Sequence, residues 1–125
     1  MGIFVGRNKE QRIDVAFVHT RAVYELLKEN LWDKLTEEEQ EGVNADFEFF
    51  EEVHLSYFDP NIFNAVYHLL MASDDDLITP LQDDFKIAFE SDPRFQAAWN
   101  IYFNTSLRRP RKRAVVIPLM FGKPK

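Results

Sequence analysis

The sequence contains no cysteine and only four glycines among its 125 residues. Without cysteine, the chain forms no disulfide framework, no thiolate zinc site and no thiol nucleophile. A phosphate-binding loop is excluded too, since Gly2 and Gly6 lack the spacing and the Gly-Lys-Ser/Thr ending of that motif. No apolar run approaches the roughly 20 residues of a membrane span, and residues 1–5 are too few for a signal peptide. We therefore expect a cytoplasmic protein that does not contact a membrane.

Basic side chains are missing from the middle of the chain. Residues 35–85 carry 14 acidic and no basic side chains, whereas residues 86–125 carry 9 basic and 2 acidic ones. The net charge of −6 is therefore the sum of +1 over residues 1–34, −14 over the acidic centre and +7 over the basic carboxyl-terminal part. A charge pattern of this kind bears on binding partners and solubility rather than on the fold.

Apolar spacing and capping residues predict a mainly α single domain over residues 1–125, a bundle of about five helices. Apolar residues at steps of three and four predict the first helix over residues 12–31. Thr36 and Glu39 fit a capping box that starts a second helix, whose apolar stripe continues through Phe50 and His54 toward Phe58. Three further helices are predicted where a capping residue precedes proline, at Asp59-Pro60, Thr79-Pro80 and Asp92-Pro93.

The two ends of the chain differ from this helical centre. Residues 3–5 and 114–121 are rich in β-branched and aromatic side chains, which favour strands, although Pro118 restricts the second segment to an edge strand or an extended arm. We expect the termini to be able to pair as a small β ribbon. Residues 106–125 are interpreted as a basic and apolar carboxyl-terminal arm of the single domain.

An acidic surface is the leading candidate for function. If residues 43–58 form one helix, Glu48, Glu51 and Glu52 lie beside or opposite its apolar stripe, with no basic residue at i+4 to pair with them. Phe49 lies off the apolar stripe, at the margin of this acidic sector, so its ring is not needed to form the core. An exposed aromatic ring bordered by charged side chains is typical of a binding surface. The predicted partner-binding residues are Glu41, Glu48, Phe49, Glu51, Glu52, Asp74, Asp75 and Asp76. The plainer interpretation is that the acids maintain solubility and Phe49 packs on a neighbouring helix.

Catalytic and metal sites find little support in the sequence. Asp74, Asp75 and Asp76 are consecutive, whereas the ligands of a calcium loop alternate and are followed by glycine. Glu51 and His54 form a single Glu-x-x-His motif, but a di-metal site in a four-helix bundle needs a second copy. We expect no enzyme activity, no catalytic residue, no bound metal and no cofactor, with a carboxylate-based metal enzyme as the weakest alternative.

The basic cluster supports a different alternative. Its residues are Arg108, Arg109, Arg111, Lys112 and Arg113. Arginine and lysine neutralise phosphates, so this cluster could contact nucleic acid. The acidic remainder of the molecule would repel the same polyanion, and the cluster could equally be a solvated linker or an arm that lies over the acidic helices.

The sequence therefore predicts a non-enzymatic intracellular binding protein whose acidic helical surface engages a basic protein. Complementary charge would speed the encounter, and an exposed ring would add short-range affinity. An immunity or inhibitor protein that neutralises a cationic toxin such as a nuclease is the specific hypothesis, by analogy of charge alone.

Overall fold

In the computed structural model of the chain, residues 2–97 are described. They form four α-helices, which are α1 (Phe17–Asn30), α2 (Glu37–Phe50), α3 (Pro60–Ala72) and α4 (Gln82–Glu90). Three short strands form one sheet and are β1 (Gly2–Phe4), β2 (Arg12–Ile13) and β3 (Glu52–His54). Short 3-10 turns cover Lys9–Gln11, Trp32–Lys34 and Thr79–Leu81. This part of the chain is thus mainly helical, as the sequence indicates, with a small sheet added.

The sheet has the strand order β2-β1-β3. β1 is antiparallel to β2, with Ile3 opposite Ile13, and parallel to β3, with Ile3 opposite Val53. The strand prediction for residues 3–5 is confirmed at Ile3 and Phe4, whereas Val5 lies beyond the end of β1. Both edges of β1 are occupied by β2 and β3, while residues 114–121 lie outside the described residues.

The first helix begins five residues later than the sequence predicts. Arg12 and Ile13 belong to β2, and Ala16 is the extended residue that precedes the helix. Ile13 fits the helical spacing, yet it is buried equally well on a strand, because its side chain faces the core opposite Ile3. Spacing alone does not distinguish these two ways of burying one apolar residue.

The second helix begins as predicted and ends early. Thr36 accepts a hydrogen bond from the amide of Glu39, whose carboxylate accepts one from the Thr36 amide. The helix stops at Phe50 because Glu51 adopts a left-handed conformation, with φ 56° and ψ 44°, and the chain then enters β3. The prediction of one helical stripe through His54 to Phe58 is therefore wrong.

The later helices follow the proline signals in part. Asp59 accepts a hydrogen bond from the amide of Ile62, and Pro60 is the first residue of α3, as predicted. At Thr79-Pro80 the chain first makes a 3-10 turn, and α4 begins at Gln82.

The fifth helix does not begin at Pro93, because residues 93–96 are turn and irregular structure. Asp92 binds the side chain of Arg94 instead of capping a helix. Most of the predicted fifth helix, and the arm over residues 106–125, lie outside the described residues.

Within residues 2–97, a single core lies between the sheet and the helices. Its most deeply buried large side chains include Ile3 from β1, Leu27 from α1, Phe63 from α3 and Phe85 from α4. α2 contributes Val43 to this core, and Phe47 stacks on Tyr24 with ring centroids 4.1 Å apart. α2 therefore buries one side, while the opposite side of the helix faces solvent.

Candidate functional site

The solvent side of α2 carries a row of carboxylates. Glu37, Glu41 and Glu48 are exposed, and at 3.6 residues per turn they lie within about 40° of one another around the helix axis. None of the three makes an ion pair with another residue in the range 2–97. Of the predicted site residues, Glu41 and Glu48 therefore share one outward face, which we call the α2 acidic row.

Exposed aromatic rings lie at the carboxyl-terminal end of this helix. Phe49 is 77% exposed and Phe50 is 63% exposed, so both present most of their surface to solvent. The sequence-based assignment of Phe50 to a buried stripe is wrong, because the helix ends there and its ring is 63% exposed. The two phenylalanines are consecutive and point about 100° apart, so the last turn of α2 exposes apolar surface on more than one side, and exposed apolar surface can mark an interaction site.

Tyr57 extends this aromatic surface. It is 40% exposed, and its hydroxyl donates a hydrogen bond to Asp46 Oδ2 at 3.1 Å. A Cβ atom placed on Gly42 would lie 3.2 Å from the Tyr57 hydroxyl oxygen, so the ring lies against the Gly42 side of α2. Phe49 is seven residues beyond Gly42 and thus lies about 20° from it around the helix. Tyr57 and Phe49 therefore lie on the same side of α2.

The hydroxyl of Tyr57 is held in its protonated form. Burial raises its pKa, and the negative charge of Asp46 and the hydrogen bond to it raise the pKa further. The phenol is consequently a hydrogen-bond donor at any physiological pH, and this bond holds the ring beside Asp46, about one turn before the end of α2.

Glu51 is the residue at which α2 terminates. Within residues 2–97 it is the only residue other than glycine with a positive φ. Its amide donates to the carbonyl oxygen of Phe47, which closes the helix. Glycine is the usual residue at this position, because a side chain in the left-handed region raises the energy by roughly 1–2 kcal/mol. A carboxylate therefore stands at the helix end in spite of the strain.

The charges at this end of α2 are unbalanced. The last helical turn contains no basic residue, while Glu48 lies in it and Glu51 follows directly. The carboxyl-terminal end of a helix carries a partial negative charge, which cations stabilise and anions oppose. Around the helix axis Phe49 lies between Glu48 and Phe50, about 100° from each, and Tyr57 lies on the Phe49 side. We call this band, which is centred on Phe49 and consists of Glu48, Phe49, Phe50, Glu51 and Tyr57, the α2 terminal patch.

Glu52 departs from the sequence prediction. It lies on β3, half-buried, and its carboxylate accepts a hydrogen bond from His54 Nε2 at 2.8 Å. The His54 ring stacks on Phe4 of the neighbouring strand, with centroids 4.4 Å apart. Glu52 is therefore engaged inside the molecule, and the Glu-x-x-His motif with Glu51 does not lie on one helix face, because Glu51 ends α2 and His54 lies on β3.

The three consecutive aspartates lie on another side of the molecule. His19 Nδ1 donates to the carbonyl oxygen of Leu77, which places the loop at residues 74–77 against the start of α1. The α2 helix contacts a different side of the same turn, where Phe17 stacks on Phe47. Phe17 and His19 are two residues apart and point about 160° away from each other around α1. The structure therefore does not bring the aspartates into the α2 terminal patch.

Asp75 also has a local structural role. Its Oδ1 accepts a hydrogen bond from the amide of Leu77 at 2.8 Å, and its own amide donates to the Ser73 hydroxyl. These hydrogen bonds lie within the loop and stabilise its turn, a role that aspartate side chains commonly have.

A second charged centre was not anticipated from the sequence. Arg94 binds Asp92 through two parallel hydrogen bonds of 2.9 Å and donates to three main-chain carbonyl oxygens, those of Val5, Leu55 and Phe58. The side chains of Arg94 and Asp92 are only 17% and 6% exposed. We call this group the Arg94 centre.

Other contacts complete the Arg94 centre. Gln11 donates to Asp92 Oδ2 at 2.7 Å, and the guanidinium carbon of Arg94 lies 3.9 Å from the centre of the Phe63 ring. Burial by itself raises the pKa of Asp92, but the hydrogen bonds from Arg94 and Gln11 outweigh it and hold the pKa below its ordinary value. Every strong donor of the guanidinium is therefore used inside the protein.

Residues 2–97 contain no group of three or more histidine, aspartate or glutamate side chains arranged to hold a metal ion. His68 is buried on α3, and burial lowers its pKa to about 4. The basic cluster from Arg108 to Arg113 lies outside the described residues, so its contact with nucleic acid stays a prediction.

Comparison with protein families, with curated proteins and with solved structures finds no match to this chain. None of the helices described between residues 2 and 97 has the length and apolar content needed to cross a bilayer.

Proposed function

We propose that this protein is a non-enzymatic binding protein that captures a basic protein partner on the α2 acidic row and the α2 terminal patch. The observation that supports it best is the exposure of Phe49 and Phe50 beside carboxylates that have no ion-pair partner within residues 2–97. The apolar rings supply short-range affinity and the carboxylates supply long-range attraction for a cationic surface.

The energetics of α2 favour a cationic partner. Like charges at i,i+4, such as Glu37 and Glu41, destabilise a helix by a few tenths of a kcal/mol. Carboxylates at the carboxyl-terminal end add a similar unfavourable term. A bound cationic surface would relieve both, so part of the binding free energy is already stored as repulsion in the free protein. The specific hypothesis is an immunity or inhibitor protein for a cationic toxin such as a nuclease.

The experiment compares two neutralised forms of the protein as baits. In the first, Glu41→Gln, Glu48→Gln and Glu51→Gln remove three charges from the α2 surface. The second is the control, in which Asp33→Asn, Asp83→Asn and Asp84→Asn remove three exposed charges elsewhere. Both variants carry the same net charge, so a difference between them reports position rather than total charge.

Each bait is immobilised, incubated with native lysate, and the retained proteins are quantified by mass spectrometry. We expect a basic protein that the wild type and the control variant retain and the α2 variant loses. Its association rate should fall as salt is raised, because exposed charges are screened beyond about 10 Å at 0.1 M salt. A partner retained equally by all three baits would contradict the proposal, and so would the absence of any basic protein that depends on α2.

A further inference from the structure

We infer that the α2 terminal patch binds an arginine side chain of the partner, in preference to lysine. This inference rests on the proposed function and adds the chemistry of the recognised group. It follows from the combination at one helix end of flat exposed rings, carboxylates and an unbalanced negative charge.

The rings provide surfaces for a planar cation. Phe49 and Phe50 expose most of their area, and Tyr57 lies on the Phe49 side of α2 with its hydroxyl bound to Asp46. Guanidinium groups stack on aromatic faces and are more weakly hydrated than ammonium groups, so they lose less on leaving water. The protein already uses this contact internally, where Arg94 lies 3.9 Å from the centre of Phe63.

The carboxylates provide the second half of the recognition. Glu48 is in the last turn of α2 and Glu51 is exposed directly after it. An arginine forms two parallel hydrogen bonds with one carboxylate, whereas a lysine acts as a point charge. The partial negative charge of the helix end attracts arginine and lysine equally. It strengthens binding of a cation at this site without distinguishing between the two.

A second copy of the chain is a poor occupant of this surface. Association through a two-fold axis would bring the same patch of each molecule together. Glu48 and Glu51 of one copy would then face the same residues of the other, with no basic residue in the last turn of α2 to separate them. Charge complementarity therefore favours a basic partner over self-association.

The test uses two blocked synthetic pentapeptides of equal charge, Gly-Arg-Gly-Arg-Gly and Gly-Lys-Gly-Lys-Gly. Binding to the full chain is followed by NMR titration at low ionic strength. We expect the wild type to bind the arginine peptide about three-fold more tightly, the size of difference that an exposed cation–π contact produces. The largest shifts should come from Phe49, Phe50 and Tyr57.

Two variants separate the rings from the charges. Phe49→Ser with Phe50→Ser should lower the affinity for the arginine peptide to that of the lysine peptide. Glu48→Gln with Glu51→Gln should weaken both peptides by a similar factor. Ile87→Ser, on the exposed side of α4, is the control for loss of a surface apolar side chain and should change neither affinity. Circular dichroism confirms that each variant is folded.

The outcomes are distinct for the two proposals. Equal affinity of the wild type for both peptides, with the charge dependence retained, would overturn the arginine inference and leave the proposed function standing. An arginine preference that survives the loss of both phenylalanines would also overturn it. Binding that is undetectable, or that is unaffected by Glu48→Gln with Glu51→Gln, would overturn the inference and contradict the proposed function as well.

Discussion

The Arg94 centre and the α2 terminal patch contain the same kinds of group in opposite states. In the Arg94 centre, a guanidinium, a carboxylate and an aromatic ring are buried together, and each donor has a partner. In the α2 terminal patch, carboxylates and rings face solvent, and no cation accompanies them in the last turn of the helix. The Arg94 centre thus contains a guanidinium, and the last turn of α2 contains none.

This difference indicates what each region does for the protein. A buried, fully bonded arginine ties residues 92–94 to the ends of β1 and β3, so its contribution is to stability. Exposed rings, a strained Glu51 and carboxylates without an ion-pair partner among residues 2–97 contribute little to stability and are typical of sites that act on a partner. If the comparison holds, substitutions in the first region should change folding, and those in the second should change binding.

The largest expected effect is that of Arg94→Ala on folding. Removing the guanidinium leaves the carboxylate of Asp92 buried without its main partner and removes a hydrogen bond from each of three carbonyl oxygens, of which the Leu55 oxygen keeps the Phe58 amide as a donor. Breaking a buried pair in this way lowers the free energy of unfolding by about 3–5 kcal/mol. Urea denaturation followed by circular dichroism measures the loss.

Two companion variants make this prediction decisive. Arg94→Lys keeps the charge but cannot reproduce the forked hydrogen bonds, so it should fall between alanine and the wild type even if the alanine variant does not fold. Arg12→Ala removes an exposed arginine paired with Asp14 and should lower the free energy of unfolding by less than about 1 kcal/mol. A similar small effect at both arginines would erase the distinction between the two regions.

A smaller effect is expected from His68 and depends on pH. Burial lowers its pKa to about 4, so the folded protein keeps this imidazole neutral where the unfolded chain, with an ordinary pKa of 6.5, takes up a proton. Its contribution to stability is therefore fully present above about pH 6.5 and is lost as the pH falls toward 4. The loss reaches up to about 3 kcal/mol, at 1.36 kcal/mol per unit of pKa difference.

The measurement is the free energy of unfolding across pH 7 to 4 for the wild type and His68→Gln. The variant should be less stable at pH 7 but should lose the part of the slope that His68 contributes between pH 6.5 and 4. His19→Gln is the matched control and should keep this slope, since it leaves His68 in place. An unchanged slope in His68→Gln would show that burial of this imidazole does not govern acid stability.

Much of the fold is readable from the sequence because helix starts depend on local chemistry. The capping box at Thr36 and the Asp59-Pro60 signal gave correct starts for α2 and α3, since both are satisfied within one turn. Helix ends and strands were harder to predict from the sequence. The alternation of buried Val53 and Leu55 with partly exposed Glu52 and His54 is a strand signal, but those residues also fit a helical stripe.

The candidate site was predictable only in part for the same reason. Glu41, Glu48 and Phe49 depend on helix geometry before Phe50, and the structure places them outward. The outward position of Phe50 and Tyr57 depends on where the helix ends, which the left-handed conformation of Glu51 decides. The Arg94 centre joins residues up to 89 positions apart in the chain, and no local pattern indicates such a contact.

The smallest expected effect on stability is the sharpest test of the comparison, because it should have the opposite sign. Glu51→Gly removes a side chain from the left-handed region and should raise the free energy of unfolding by roughly 1 kcal/mol. It also removes a carboxylate from the α2 terminal patch, so the arginine peptide should bind more weakly. In the Arg94 centre, no substitution should both raise the free energy of unfolding and weaken binding of the arginine peptide.

Glu51→Ala separates the two consequences. Alanine removes the carboxylate but keeps the strain of a side chain at φ 56°, so it should weaken peptide binding as much as glycine does while leaving the free energy of unfolding nearly unchanged. Thermal and urea denaturation measure the stability, and NMR titration measures the binding. If glycine stabilises the protein and binding is unaffected in both variants, the carboxylate is not used and Glu51 is strained without a role in recognition. If glycine fails to stabilise the protein, the strain itself is refuted, and the exposed end of α2 loses one of the features that set it apart from the Arg94 centre.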